Sequence, residues 1–309
     1  MPRPSVDAAD ALLEQSLPVL DKGFVRLVDY MGGDARIVQS ARVSYGEGTK
    51  TYRQDRGLIH YLLRNWHTSP FEQVVLTFHV KMPIFVARQW IRHRTARLNE
   101  ISGRYSVMKD EFYLPEPDLV ATQSADNKQG RGESLPTEQA ARVIAAMNEE
   151  QRAVYANYEG MLEGGVAREL ARANLPLATY TEMYWQIDLH NLLQFLRLRM
   201  DPHAQYEIRV YAEALAKCAQ AVAPIAYEAF EEHILGAVSF SRAECEAIAR
   251  MLDGGVSQLD GRAQATFETK LTKLRSARPS EEVDEPTVPT LEMAAPEMAT
   301  VSLDLPTNV

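Results

Sequence analysis

Between Arg88 and Tyr105 the sequence reads RQWIRHRTARLNEISGRY, which places five arginines (Arg88, Arg92, Arg94, Arg97, Arg104) and His93 in a chain of net charge −9. Arginine's planar fork pairs bidentately with phosphate or carboxylate, so converging forks point to a polyanionic ligand. Gln89, Asn99, Glu100 and Ser102 are interleaved with them. That density of directional polar groups exceeds what a solvated helix face with surface ion pairs needs. Two further arginines have apolar neighbours: Arg172 before ANLPLATY, and Arg199 within LLQFLRLRM. Arginine is seldom buried unpaired. Each therefore either forms a structural ion pair with Glu169, Asp201 or Glu207, or adds to the anion site.

Several chemistries find no support. Ser102 has no nucleophile elbow or triad context. His67 before TSPFE and His203 in DPHAQ fall at element ends, as capping histidines do. No histidine pair has i, i+4 spacing with a carboxylate, so no metal site is expected. There is no G-x-G-x-x-G and no P-loop, so side chains must hold the phosphates of any bound dinucleotide. These residues define a binder of phosphorylated small molecules, without yet giving a reaction.

The elements that must position them alternate between strand and helix. GFVRLVDYMG alternates as a strand, and DARIVQSARVSY reads as a helix with Asp34 near its N-cap. RQDRGLIHYLLRNW is an amphipathic helix stopped by HTSPFE. QVVLTFHVKM sets Val74, Leu76, Phe78 and Val80 on one strand face. Pro83 suits the first turn of a helix, PIFVARQWIRHR, with residues 88, 92 and 95 on one side. Residues 115–136 are breaker-rich and read as a loop. A helix follows from about Val143 to Met161, then a short one in ARELARANLP. ATYTEMYWQID is a strand whose Asp188 can cap HNLLQFLRLRM, and HAQYEIRVYAEALAKCAQAV is a long helix. Beyond it, Ser241-x-x-Glu244 forms a capping-box pattern for SRAECEAIARML, and a second helix spans Gln264 to Leu274. The expected architecture is α+β: one compact domain over 1–235 with a mixed sheet flanked by helices, a helical extension over 236–275, and a disordered acidic tail over 276–309.

That tail carries seven acids against one arginine and five prolines, so most of the net charge lies there. The low pI of about 5.4 argues against nucleic-acid or anionic-membrane binding. No apolar run reaches membrane-spanning length. Cys218 and Cys245 lack metal-ligand spacing and read as small buried hydrophobes in a reducing cytoplasm.

The stretch Arg92-His93-Arg94, seven residues, Ser102, then Arg104-Tyr105 resembles the signature of the flavin-dependent thymidylate synthases. DKGFVRLVDYMG, ARVSYG, HTSPFEQVVLTFHVKMPIFVARQW, ARANLPL and LRLRMDPHAQYEI are similar to further family blocks, in order, over roughly residues 20–235. The resemblance implies a homotetramer with FAD where subunits meet. It also implies methylene transfer from methylenetetrahydrofolate to dUMP and reduction to dTMP by hydride from NADPH, with no enzyme nucleophile. By matched position, dUMP falls to Gln89, Trp90, Ile91, Arg92, Glu100, Ile101, Ser102, Gly103, Arg104, Arg172 and Arg199. Arg199 takes the catalytic role of stabilising the N3-deprotonated uracil. FAD falls to Ser69, Arg92, His93, Arg94, Glu100, Asp188, Leu189, His190 and Gln194, with His67 and Ser44 as supporting residues. Gln73, Asp188, His190 and Arg97 depart from the commonest family pattern, and Arg97 has no assigned ligand. A catalytically silent flavin-nucleotide binder and an RNA-binding module are the competing readings. The complete signature and the near-neutral body weigh against them.

Overall fold

The computed structural model describes residues 5–43, 52–125 and 129–276. The chain divides into two compact units, residues 1–237 and 238–309. The first is built on a five-stranded sheet in the order β1-β2-β3-β7-β4. Its strands are β1 (Ser16–Val19), β2 (Gly23–Met31), β3 (Val75–Pro83), β4 (Arg97–Glu100) and β7 (Tyr180–Asp188). All four named pairings are antiparallel, and the parallel contact is an isolated bridge between Leu13 and Leu27. The mixed character expected of the sheet is thus confined to that bridge, because the strands meet through hairpins and antiparallel returns.

Val74, Leu76, Phe78 and Val80 are fully buried, as their alternation predicts. They share one core with α4 (Ile84–Trp90), α7 (Leu189–Arg199) and α8 (Tyr206–Val222). Trp90 ties these layers together, with ring centroids 5.1 Å from Trp185, 4.9 Å from Phe195 and 6.0 Å from Tyr211. Gly23 opens β2 because no side chain fits there. A Cβ would lie 1.9 Å from the Tyr211 hydroxyl and under 3 Å from the carbonyls of Val19 and Lys81.

The other elements of this unit are α1 (Asp7–Asp10), α2 (Asp34–Arg42), α3 (Tyr52–Arg64), α5 (Thr137–Glu163), α6 (Arg168–Ala171) and α9 (Pro224–Phe230). Four strands, β1, β4 and the two of a hairpin, are not visible in the sequence. Residues 115–136, expected as loop, contain the hairpin β5 (Ala121–Gln123) and β6 (Arg131–Ser134). Asp34 caps a helix other than its own: its carboxylate accepts from the backbone N–H groups of Ile225 (2.8 Å) and Ala226 (3.0 Å) at the start of α9. The N-cap of α2 is Gly33.

The second unit contains α10 (Arg242–Leu252) and α11 (Gly261–Ser276). The Ser241–Glu244 capping box is formed, and Lys270 of α11 donates to Glu244 at 2.6 Å. Ser44 and residues 277–309, including nearly all of the acidic tail, lie outside the described residues.

Candidate active site

The helix that carries the arginine cluster stops sooner than its sequence suggests. It ends at Trp90, so Arg92, His93 and Arg94 lie in the turn leading to β4, and residues 88, 92 and 95 share no helical face. Nothing in RQWIRHR breaks a helix, so the stop comes from tertiary contacts. The His93 backbone N–H turns back to the Trp90 carbonyl at 3.0 Å. The Gln89 carbonyl, which a continuing helix would bond internally, accepts from an Arg199 terminal nitrogen at 3.2 Å.

Arg199 is the pivot of this region. Its Nε donates to His93 Nε2 at 3.0 Å, which makes that nitrogen the acceptor and places the imidazole proton on Nδ1. Burial, and then the Arg199 charge, push the His93 pKa down to about 4, so the ring is neutral at physiological pH. Phe195 packs against it, with centroids 4.7 Å apart. Arg199 itself is half-buried and has no acidic partner among the described residues. Burial lowers its pKa from an ordinary value far above neutral, so it remains a cation. Neither Asp201 nor Glu207 pairs with it. Asp201 contacts His203, and Glu207 is taken by Arg131.

Because His93 is held neutral, unfolding between pH 6.5 and about 4 takes up a proton that the folded chain refuses. The folded state therefore loses stability as pH falls through that window. Thermal unfolding followed against pH is expected to show this slope, and His93→Gln, which keeps an acceptor but cannot titrate, is expected to flatten it.

Gln89 is fixed from below. Its amide donates to Gln205 Oε1, whose own Nε2 donates to Glu207 Oε2 at 2.9 Å. Glu207 is fully buried and also accepts from the Tyr113 hydroxyl at 2.9 Å and from Arg131. Sequence reasoning did not single out Gln205, Arg131 or Tyr113. The block MDPHAQYEI was visible, but Arg131 sits 76 residues away in what read as loop.

The second cluster lies beyond β4. Ser102, half-buried, accepts from the Arg104 N–H at 3.3 Å, and its carbonyl receives the N–H groups of Tyr105 and Ser106. Gly103 is pressed against Arg172, since a Cβ there would lie 2.9 Å from Arg172 Cδ. That contact brings Arg172 to the Ser102–Arg104 turn. Arg172 is exposed rather than buried, and Glu169 pairs with Arg104 at 3.0 Å instead. Both partners of that pair are more than half exposed, so it contributes little and yields readily to a stronger anion. Glu100 accepts from Thr181 Oγ1 at 2.6 Å. Ile91 and Ile101 are both 38% exposed.

The residues matched to flavin do not gather in one place. A cleft of about 390 Å³ has His67, Thr68, His190, Gln194 and Arg197 at its rim over Leu62, Leu193 and Phe230. Ser69, next to Thr68, is exposed. A second concavity of about 1050 Å³ is lined by Arg88, Ile91, Arg92 and Arg94. These three arginines make no ion pair among the described residues, an arrangement suited to a diphosphate.

Three assignments need correction at the side-chain level. Trp90 is wholly buried in the aromatic core, so it can meet a nucleotide only through its backbone. Leu189 is 1% exposed and its N–H is bonded to the Val74 carbonyl, which leaves no side-chain contact with flavin. Asp188 is occupied as the cap of α7, accepting from the Asn191 backbone N–H at 2.9 Å and its amide at 2.8 Å. Arg97 has a structural partner: it donates to Gln186 Oε1 at 3.3 Å, and Gln186 donates on to Thr77 at 3.0 Å, a polar row across β4, β7 and β3.

The fold and the cation clusters define a class, an α+β protein that binds phosphorylated ligands without a glycine-rich loop. Compared with known proteins, residues 26–225 match the family described as "Thymidylate synthase complementing protein", and residues 238–277 match "Thymidylate synthase ThyX C-terminal domain". The chain is 62% identical over 260 residues to a flavin-dependent thymidylate synthase of Treponema denticola, covering 84% of this chain and 98% of the relative. It is 57% identical over 246 residues to one from Ruegeria pomeroyi, covering 78% and 82%. Among solved structures, the UMP/dUMP methylase PolB of Streptomyces cacaoi, bound with 5-Br dUMP, aligns with a TM-score of 0.65 and 32% identity, over 71% of this chain and 98% of that one. The chain belongs to the flavin-dependent thymidylate synthase family, and it is an enzyme. The second match also gives the helical extension a counterpart within the family.

Proposed function

We propose that the enzyme converts dUMP to dTMP. Methylenetetrahydrofolate would supply the one-carbon unit, and NADPH the hydride by way of bound FAD, in a cytoplasmic homotetramer. The observation that carries this reading is Arg199, a half-buried guanidinium with no acid beside it among the described residues and two of its N–H groups fixed by His93 and the Gln89 carbonyl. Its remaining donors and its charge are free for a ligand. Set against the edge of uracil, they favour the N3-deprotonated ring and make carbon five nucleophilic. Neutral His93 holds the guanidinium in place without competing for the anion. Ser102, Arg104 and Arg172 suit the nucleotide phosphate, while Gln89 and Glu100 suit its polar edges.

The buried thiol of α8 does not suit the alternative covalent route. Cys218 is 1% exposed in α8, and burial raises its pKa to about 12. Cys245, in α10 of the second unit, is exposed rather than buried as its sequence setting suggests.

The donor set fits a flavin. Arg88, Arg92 and Arg94 would take its diphosphate, and His67, His190 and Gln194 would rim the cleft for its polar edges. Bound there, FAD supplies a hydride carrier. The homotetramer is supported by the spread of the matched flavin residues. His190 and Gln194 line one cleft and Arg92 and Arg94 another. A second copy can bring complementary halves together.

With dUMP tritiated at carbon five, methylenetetrahydrofolate and NADPH, the purified protein is expected to release tritium to solvent and form dTMP. A yellow preparation that binds dUMP but releases no tritium would overturn the reading in favour of a silent binding protein.

A further inference from the structure

Two segments far apart in the chain bring metal-ligating side chains together outside the site described above. His60 lies on α3, and Glu232 and His233 lie on the π-helical turn Glu231–Leu235 that follows α9. His60 Nδ1 is 3.1 Å from His233 Nε2 and 3.3 Å from Glu232 Oε2. His233 Nε2 and Glu232 Oε1 are 4.0 Å apart. The ligand atoms of a tetrahedral ion with bonds of ~2.0–2.1 Å are separated by about 3.3–3.4 Å, so the first two separations are already near that edge.

A second observation points the same way. His60 Nε2 is buried and has no hydrogen-bond partner among the described residues. The ring's Nδ1 meets His233, while Nε2 lies within ion-pair distance of Glu228. A cation on Nδ1 fixes the proton on Nε2, where it faces Glu228 Oε2 at 3.9 Å. Glu228 is itself held by Arg56 Nε at 3.0 Å. A carboxylate behind a ligating histidine is the usual outer support of such an ion. π-helical turns are also frequent at functional positions.

We propose that His60, Glu232 and His233 bind a divalent transition-metal ion of the zinc class, with Glu228 orienting His60. Glu232 is 60% exposed, so solvent reaches the site and water can fill the fourth position. The ion ties together two walls of the 390 Å³ cleft, because Leu62, Leu63 and Ile234, close neighbours of these ligands, line it. Sequence spacing could not show this, since His60 and His233 are 173 residues apart.

The test uses the full chain with its flavin, stripped of metal and dialysed against micromolar ZnCl2 or CoCl2. One equivalent per chain is expected, with the visible absorption of four-coordinate Co2+. His60→Ala and His233→Ala are expected to lose that equivalent, Glu228→Gln to weaken binding about 10–100-fold, and His79→Ala to bind as the parent does. If an alanine variant fails to fold by circular dichroism, Glu232→Gln, which keeps the side chain's shape, carries the test and is expected to weaken binding at least as much as Glu228→Gln. No stoichiometric binding by the parent chain, or unchanged binding in the ligand variants, overturns the proposal. Metal content and the Co2+ spectrum are read without turnover, so this result stands apart from the tritium assay.

Discussion

Arg199→Lys is expected to leave the protein yellow and folded while slowing single-turnover tritium release by about 10²–10³-fold, the loss seen when a preorganised donor to a developing anion is removed. The geometry explains why a conserved charge is not enough. Arginine donates sideways from Nε to His93 and forward from its terminus to the Gln89 carbonyl, and it still has N–H groups for a ligand. Lysine's single ammonium cannot span both anchors and meet uracil as well. Nothing matched to flavin contacts Arg199 apart from His93, which packs on Phe195 and keeps its place. Flavin absorbance after desalting and the rate of tritium release therefore separate the two sites. Full activity in the variant would remove Arg199 from the chemistry.

Glu207→Ala is expected to cost about 3 kcal/mol of stability, read from urea unfolding, and to weaken dUMP binding although Glu207 touches no ligand. Breaking a buried ion pair costs about 3–5 kcal/mol because the remaining partner is stranded. The lower end applies here, since Arg131 keeps 37% of its side chain in solvent. The Tyr113 hydroxyl and the Gln205 amide lose their acceptor too. Although burial opposes ionisation, the Arg131 contact keeps the Glu207 pKa below the usual carboxylate range, so the network persists well into acid. Through Gln205 the loss reaches Gln89. Unchanged urea unfolding with unchanged dUMP affinity would show that the chain of amides positions nothing.

The parts of this architecture that were legible in the sequence are those where local chemistry and final position agree. The buried face of β3, the Asp188 cap of α7 and the Ser241–Glu244 box each follow from residues a few positions apart. The rest depended on distant partners. β4 reads Arg-Leu-Asn-Glu, exposed at all four positions, and becomes a strand because the edge of β7 offers it backbone bonds. Asp34 resembles a cap for its own helix, and only the fold reveals that its target lies 191 residues on. The early stop of α4 is written in Arg199, 110 residues from the carbonyl it takes. The arginine cluster announced an anion site by type alone. That Arg97 belongs to the sheet and not to that site could be seen only once Gln186 lay beside it.

The strand order also sets a schedule for synthesis. β7 lies between β3 and β4, yet it is made about a hundred residues after β3 and eighty after β4. While the ribosome works through the hairpin and α5, the hydrophobic edge of β3 is unpaired and β4 has nothing to join. High contact order of this kind slows folding and prolongs the exposure of the nascent sheet to its neighbours. The same late strand that closes the sheet leads directly into α7 and delivers Arg199. The guanidinium therefore reaches His93 only after β7 has entered the sheet, so a polysome carries the arginine cluster long before it carries a site.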